Sequence, residues 1–256
     1  MKRGFYTIMS AQFFSSLADN ALFVTAVELL KSDGAAEWQR AALVPMFALF
    51  YVVLAPFVGA FADSRPKGEV MLMSNTIKVV GCLMMLFGVH PLLAYAVVGL
   101  GAAAYSPAKY GILTELLPAS QLVKANGWIE GLTIASIILG VLLGGQLVGP
   151  NLSAWLLSFD LPFVTTGIDT SAEAAICLLI PLYAIAAWFN KRIPYTGAAL
   201  IPMRLDPEKS MTRNLLVLVP DFWHCNQRLW HDKLGQISLA TTTLFWGVSG
   251  NLRYIV

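Results

Sequence analysis

The sequence predicts an all-α membrane protein: a bundle of six transmembrane helices, a basic link, and a seventh helix that opens a second bundle. Three observations predict it. Hydrophobic residues make up 57% of the 256 and charged residues only 12%, about half the charged share of a soluble domain, and mean hydropathy is +0.67. Apolar runs of roughly 20 residues, the length that crosses a hydrocarbon core of about 30 Å, recur between short polar stretches. One stretch is also echoed: Ala11-Gln-Phe-Phe-Ser-Ser-Leu-Ala-Asp19-Asn20-Ala-Leu-Phe23 returns 231 positions on, with Phe14 falling on Phe245 and Asn20 on Asn251. The net charge of +2 indicates no nucleic-acid surface. Cys82, Cys177 and Cys225 are too scattered for a disulfide framework or a metal site.

The first helix is expected over 5–30. Lys2 and Arg3 ahead of it resemble a signal-peptide start, but Asp19 and Glu28 interrupt the run and no small-residue cleavage site is clear, so it reads as a retained span. A polar link, 31–40, leads to a second helix over 41–62 carrying Pro45 and Pro56. The charged loop 63–69 precedes a third helix, 70–88, with Asn75 and Lys78 inside it. His90-Pro91 turns the chain into a Gly/Ala-rich fourth helix, 92–108. A polar segment, Ser106 to Gly127, is expected before a fifth helix at 128–149. A loop from Pro150 to Ser171, holding Asp160 and Asp169, precedes a sixth helix at 172–189. The domain reading is therefore 1–190 for the bundle, 191–233 for a cytoplasmic link, and 234–256 for the first helix of the next bundle.

Basic residues orient these spans. Lys2, Arg3, Arg65, Lys67, Lys109, Lys124 and all seven Lys and Arg of the link fall on one side, against Lys31 and Arg40 on the other; Lys78 and Arg253 lie inside helices. The N-terminus and the link are thus expected in the cytoplasm. Six helices, a basic link and a helix that echoes the first read as a fragment of a twelve-helix carrier, whose parallel halves are the repeat pattern of the major facilitator fold.

The loop Gly59-Ala-Phe-Ala-Asp63-Ser-Arg65-Pro-Lys67-Gly68 resembles the signature loop of the major facilitator superfamily, with Ser64, Pro66 and Gly68 departing from it. Gly59, Asp63 and Lys67 are read as a conformational latch, Gly59 by admitting close helix approach; the alternative is a plain cytoplasmic turn. Gly140/Gly144 and Gly145/Gly149 are small-xxx-small pairs suited to close helix packing. They also resemble an antiporter signature, though packing alone explains them.

More specific are Tyr105-Ser-Pro-Ala-Lys109-Tyr-Gly-Ile-Leu113, Leu17-Ala-Asp19-Asn20-Ala-Leu22, Ala55-Pro-Phe-Val-Gly59-Ala-Phe-Ala-Asp63-Ser64 and Thr243-Leu-Phe-Trp-Gly-Val-Ser-Gly-Asn251-Leu-Arg253. Together they resemble the lysophospholipid transporter family (LplT type) of the major facilitator superfamily, through most of residues 10–150 and again from about 235. The resemblance implies a flippase, not an enzyme. It would carry lysophosphatidylethanolamine and lysophosphatidylglycerol from the outer to the inner leaflet of the bacterial inner membrane, without an ion gradient and without a cofactor. An acyltransferase/acyl-ACP synthetase partner would then restore the missing chain.

That chemistry sorts the polar residues into roles. A charge near the bilayer centre costs on the order of 3 kcal/mol on insertion scales, so Asp19 is expected to serve a function there, either holding a substrate ammonium or pairing with a cation across the bundle. The alternative is a structural ion pair with Arg253 or Lys78. Asn20 suits phosphate or glycerol oxygens. Lys109, Lys124 and Arg253 suit phosphate, with Glu130 holding one of them when the site is empty; for Lys109 and Lys124 the alternative is topology alone. Lys78 is either a cavity cation or a snorkelling residue. A proton-coupled antiporter of drugs or small solutes, with Asp19 as the protonation site, is the rival reading. In the link, Trp223 and Trp230 near basic residues fit an interfacial segment, and the spacing of His224, Cys225 and His231 fits no common metal site.

Overall fold

The computed structural model describes residues 3–158, 168–203 and 211–255, and all its regular structure is helical. The chain forms two compact units, Met1–Pro202 and Met203–Val256. Asp160 of the expected loop and Arg204 and Lys209 of the link lie outside the described residues.

In the first unit, α1 (Arg3–Ser32) is the central helix. Its Ala18, Ala21, Leu22 and Ala26 are buried in a core completed by Leu43, Val98, Leu147, Ile176 and Leu179. Among the described residues, five helices are long and apolar enough to cross a membrane: α1, α4 (Lys67–Leu86), α5 (Pro91–Leu116), α6 (Ala119–Val148) and α8 (Ser171–Lys191). A bent pair of helices makes a sixth when the two are counted as one span.

That pair differs from the continuous helix expected over 41–62. The chain instead makes α2 (Glu37–Val53) and α3 (Ala55–Asp63), bent by 62°. Pro56 sits in the first turn of α3 and has no N–H to continue the ladder of α2, so the helix restarts at Leu54, whose carbonyl accepts from Phe57 and Val58. Pro45, more than two turns into α2, is accommodated without a break.

The expected polar segment from Ser106 to Gly127 is almost wholly helical. α5 runs through Pro107 to Leu116 and α6 begins at Ala119. The stop comes from Pro118, which disfavours helical geometry in the residue before it: Leu117 is extended, with ψ 142°. The His90 ring accepts from the Leu92 N–H at the start of α5, and Thr170 and Glu173 form a reciprocal cap at the start of α8. Part of the loop expected over 150–171 is also helical, as α7 (Pro150–Leu157).

The second unit holds α9 (Met211–Leu216), α10 (Leu218–His231) and α11 (Lys233–Ile255). The link expected over 191–233 is thus substantially helical. α11 has 23 residues, long enough to cross a bilayer, yet it is not among the helices apolar enough by composition. Lys233, Gln236, Thr241, Thr242, Thr243, Asn251 and Arg253 dilute it.

Candidate functional site

The middle of α1 meets α4, α5 and α8 at one charge. Lys78 Nζ on α4 lies 2.6 Å from Asp19 Oδ2 and donates at 2.9 Å to Ser15 Oγ, one turn earlier on α1. Ser15 passes its own proton to Asn75 Oδ1 at 2.7 Å. Tyr183 on α8 donates to the other Asp19 oxygen at 2.8 Å. The Lys78 ammonium also stands 5.2 Å from the Tyr105 ring centre and 5.8 Å from that of Tyr183, within the range of cation–π attraction. The charges are therefore paired, and both are further bonded to neutral groups, as a buried pair needs. The Lys78 side chain is 2% exposed and that of Asp19 16% exposed.

This geometry decides two alternatives left open by the sequence. Lys78 does not snorkel; it is held in the interior by an anion and two rings. Asp19 does make an ion pair inside the bundle, and Lys78 is its partner. Tyr183, Tyr105 and Ser15 complete the arrangement without having been singled out in the sequence. Nothing local distinguishes a partner tyrosine 164 positions away from one that fills core.

Glycines let the helices come close enough for these contacts. A Cβ at Gly101 on α5 would stand 2.6 Å from the Ser74 carbonyl oxygen and 2.8 Å from Lys78 Cγ. On α6, a Cβ at Gly140 would meet the Leu17 carbonyl oxygen at 2.6 Å and Asn20 Cβ at 2.8 Å, and one at Gly144 would meet the Ala21 carbonyl oxygen at 2.7 Å. The first small-xxx-small pair is thus a seat for α1. Gly145 and Gly149 touch no other helix within 4 Å.

Asn20, beside the ion pair in sequence, turns elsewhere. It is 8% exposed, its Nδ2 donates to the Ser16 carbonyl at 2.7 Å, and its Cβ lies against the α6 seat. Lys109 is 7% exposed and enters no ion pair among the described residues. Its Nζ lies 4.3 Å from the Tyr110 ring centre. Glu130, expected to hold a cation directly, accepts instead from the Tyr110 hydroxyl at 2.6 Å. Lys109 and Glu130 thus both contact Tyr110. Lys124 is exposed. The Arg253 side chain lies outside the described residues, so the expected meeting of Arg253 with Asp19 has no geometry to report.

At the loop after α3, Lys67 is nearly buried and bonds Asp63 Oδ1 at 2.6 Å and the Ala62 carbonyl at 2.8 Å. Glu115 at the end of α5 lies 3.8 Å from the same ammonium and accepts from Thr196. The Asp63 carbonyl accepts from the Ile201 N–H at 3.0 Å. Asp63 and Lys67 are therefore paired with each other. A Cβ at Gly59 would meet nothing within 4 Å in this unit.

The Major Facilitator Superfamily description matches residues 8–252. The lysophospholipid transporter LplT of Yersinia enterocolitica is 41% identical over 256 residues, all of this chain and 56% of that protein. LplT of Yersinia pestis is 40% identical over the same spans. The chain thus spans little more than half the length of these curated relatives. Among solved structures, a bacterial homologue of the human lysosomal transporter Spinster, inward-facing and unoccupied, aligns with TM-score 0.60 at 19% identity, over 82% of this chain and 47% of that one. That likeness speaks for the fold.

Proposed function

Starting from the fact that the chain belongs to the Major Facilitator Superfamily, a family of transporters and not enzymes, we propose that it forms the first bundle, link and opening helix of a lysophospholipid carrier. The carrier moves lysophosphatidylethanolamine and lysophosphatidylglycerol from the outer to the inner leaflet of the bacterial inner membrane. It works by alternating access between two bundles, with the N-terminus and link in the cytoplasm. An acyltransferase/acyl-ACP synthetase consumes the product.

The observation that carries the reading is a separation of charge. Asp19 is committed to Lys78 and Tyr183 yet keeps a partly open carboxylate, whereas Lys109 is nearly buried and pairs with no carboxylate among the described residues. A lysolipid head group has a phosphate that suits Lys109, and its ammonium, where present, suits the open edge of Asp19. The similarity to the two LplT proteins supports this substrate class. Asn20 and Glu130 are proposed to contact the rest of the head group, and Lys124 and Arg253 to meet phosphate from the cytoplasmic end and from the second bundle. Asp63 and Lys67 with Gly59 are proposed as the latch.

In the full-length carrier, Asp19→Asn or Arg253→Ala should abolish lysolipid uptake by spheroplasts while the protein still inserts. Unchanged uptake in both sinks the site assignment. The intramembrane carboxylate also favours a second reading, proton-coupled antiport of drugs or small solutes. A protonophore separates the two: lysolipid flipping survives collapse of the gradient and antiport does not.

A further inference from the structure

α10 has no buried residue, yet its composition is sharply divided. At about 100° per residue, Leu218, Val219, Phe222, Trp223, Leu229 and Trp230 share one arc, interrupted only by Asn226. Asp221, His224, Gln227, Arg228 and His231 share the opposite one. The apolar arc is left uncovered within its own unit: Trp223 is 61% and Trp230 63% exposed, and Val219 and Leu229 are exposed as well. Both tryptophans sit where the apolar arc meets the polar one, the placement that suits an indole at a membrane–water boundary.

The corner after α10 is a single residue. Asp232 ends α10 and its carboxylate accepts from the Gly235 N–H at 2.9 Å in the first turn of α11. Gln236 Nε2 donates back to the Trp230 carbonyl at 2.6 Å. Gly235 lies so close to the Leu229 carbonyl that a Cβ there would collide with it. The end of α10 is thus fixed to the start of α11, and where α11 enters a membrane that end of α10 stands at its surface. The charge agrees. Over 191–233, Lys191, Arg192, Arg204, Lys209, Arg213, Arg228 and Lys233 outnumber Asp206, Glu208, Asp221 and Asp232, a balance that complements an anionic leaflet.

We propose that α10 is an interfacial helix whose Trp223/Trp230 face docks in the anionic head-group region of the bilayer, holding the link flat against the membrane. This rests on the membrane placement of α11. The test is nitroxide accessibility in the 256-residue chain reconstituted in phosphatidylethanolamine/phosphatidylglycerol vesicles. The exposed Cys225 is labelled directly, and single cysteines replace Val219, Trp223, Trp230, His224, Gln227 and His231 in a Cys225→Ser background, with buried Cys82 left in place and Cys177→Ala. Labels at 219, 223 and 230 should collide with oxygen several-fold more than with a water-soluble nickel chelate, those at 224, 227 and 231 the reverse, and the label at 225, on the border between the arcs, should fall between the two sets. The contrast should shrink in neutral phosphatidylcholine vesicles. Low accessibility to both reagents on the apolar arc, which means cover by protein, overturns the proposal. So does free access of the chelate there, or a contrast indifferent to lipid charge. A label at Leu244 on α11 separates the two failures: if it too shows no oxygen preference, the membrane placement of α11 has failed and not the docking of α10.

Discussion

Replacing Lys78 by methionine removes the ammonium and leaves Asp19 charged, partly enclosed, and held only by the Tyr183 hydroxyl at 2.8 Å. The ion pair is 2.6 Å long between side chains 2% and 16% exposed, so solvent replaces the missing cation only in part. Breaking such a pair from one side costs about 3–5 kcal/mol. For a chain of this length that lowers a melting midpoint by about 6–20 °C. The double variant Asp19→Asn/Lys78→Met removes both charges. Tyr183 still finds a polar atom on an asparagine at 19 and Ser15 keeps its bond to Asn75, so most of the loss should return. The assay is the midpoint of detergent-solubilised protein for wild type, both single variants and the double. The expected coupling is at least about 2 kcal/mol. Additive costs, within about 0.5 kcal/mol, refute the claim that the two residues act as a pair. Uptake by the full-length carrier is a separate readout: the double variant should regain stability without regaining transport.

Gly140→Ala drives a methyl into the Leu17 carbonyl and Asn20 and should cost about 1–3 kcal/mol by overpacking, whereas Gly145→Ala, with nothing within 4 Å, should leave the midpoint within about 0.5 kcal/mol of wild type. Lys109→Gln should lower lysolipid uptake by the full-length carrier about tenfold, the equivalent of about 1.4 kcal/mol, while Lys31→Gln, on an exposed side chain paired with Glu28, should stay close to wild type; equal effects would remove Lys109 from the site. Glu115→Gln keeps the 2.6 Å Lys67–Asp63 bond but weakens the hold on Lys67 and Thr196, so tryptic cleavage after Lys191 or Arg192 should quicken several-fold with helical content unchanged by circular dichroism.

What the sequence made legible, and what it did not, divides by range. The spans follow from runs of apolar residues, a local property, and so does the need of Asp19 for a partner. The choice of partner is not local. The sequence put Arg253 opposite Asp19 and left Lys78 as another possible partner; the structure pairs Lys78 with Asp19 at 2.6 Å, and the Arg253 side chain lies outside the described residues. The break at Leu54 was missed although Pro56 was visible, because a proline within a membrane helix is often absorbed, as Pro45 is here. The helical course of 106–127 was hidden by its polarity: Lys109, Thr114, Glu115 and Lys124 lower the hydropathy without lowering helix propensity, and propensity decided the backbone. Gly59 and Gly140 look alike in sequence. One faces nothing within 4 Å and the other a carbonyl, and that difference belongs to the neighbouring helix.

The placement of α1 constrains how a carrier of this kind can move. Leu17, Asn20, Ala21 and Val24 share one face of the helix and rest on the glycine seat of α6. Ser15 and Asp19 lie on the opposite face and bond α4 and α8. Rotation of α1 would lose both sets of contacts at once, and the α6 side is steric, with no slack for a methyl group. The α4 side consists of hydrogen bonds and one ion pair, which a competing phosphate or ammonium can replace. Movement of α1 with α6, away from α4, is therefore the lower-cost route. A disulfide between Gln12→Cys and Thr133→Cys, whose native side chains bond at 3.1 Å between α1 and α6, should leave uptake by the full-length carrier near the level of its reduced form. One between Ser15→Cys and Asn75→Cys, bonded at 2.7 Å between α1 and α4, should stop uptake until it is reduced. Equal inhibition by the two cross-links would mean that α1 moves against both neighbours, and the division of labour between its faces would be wrong.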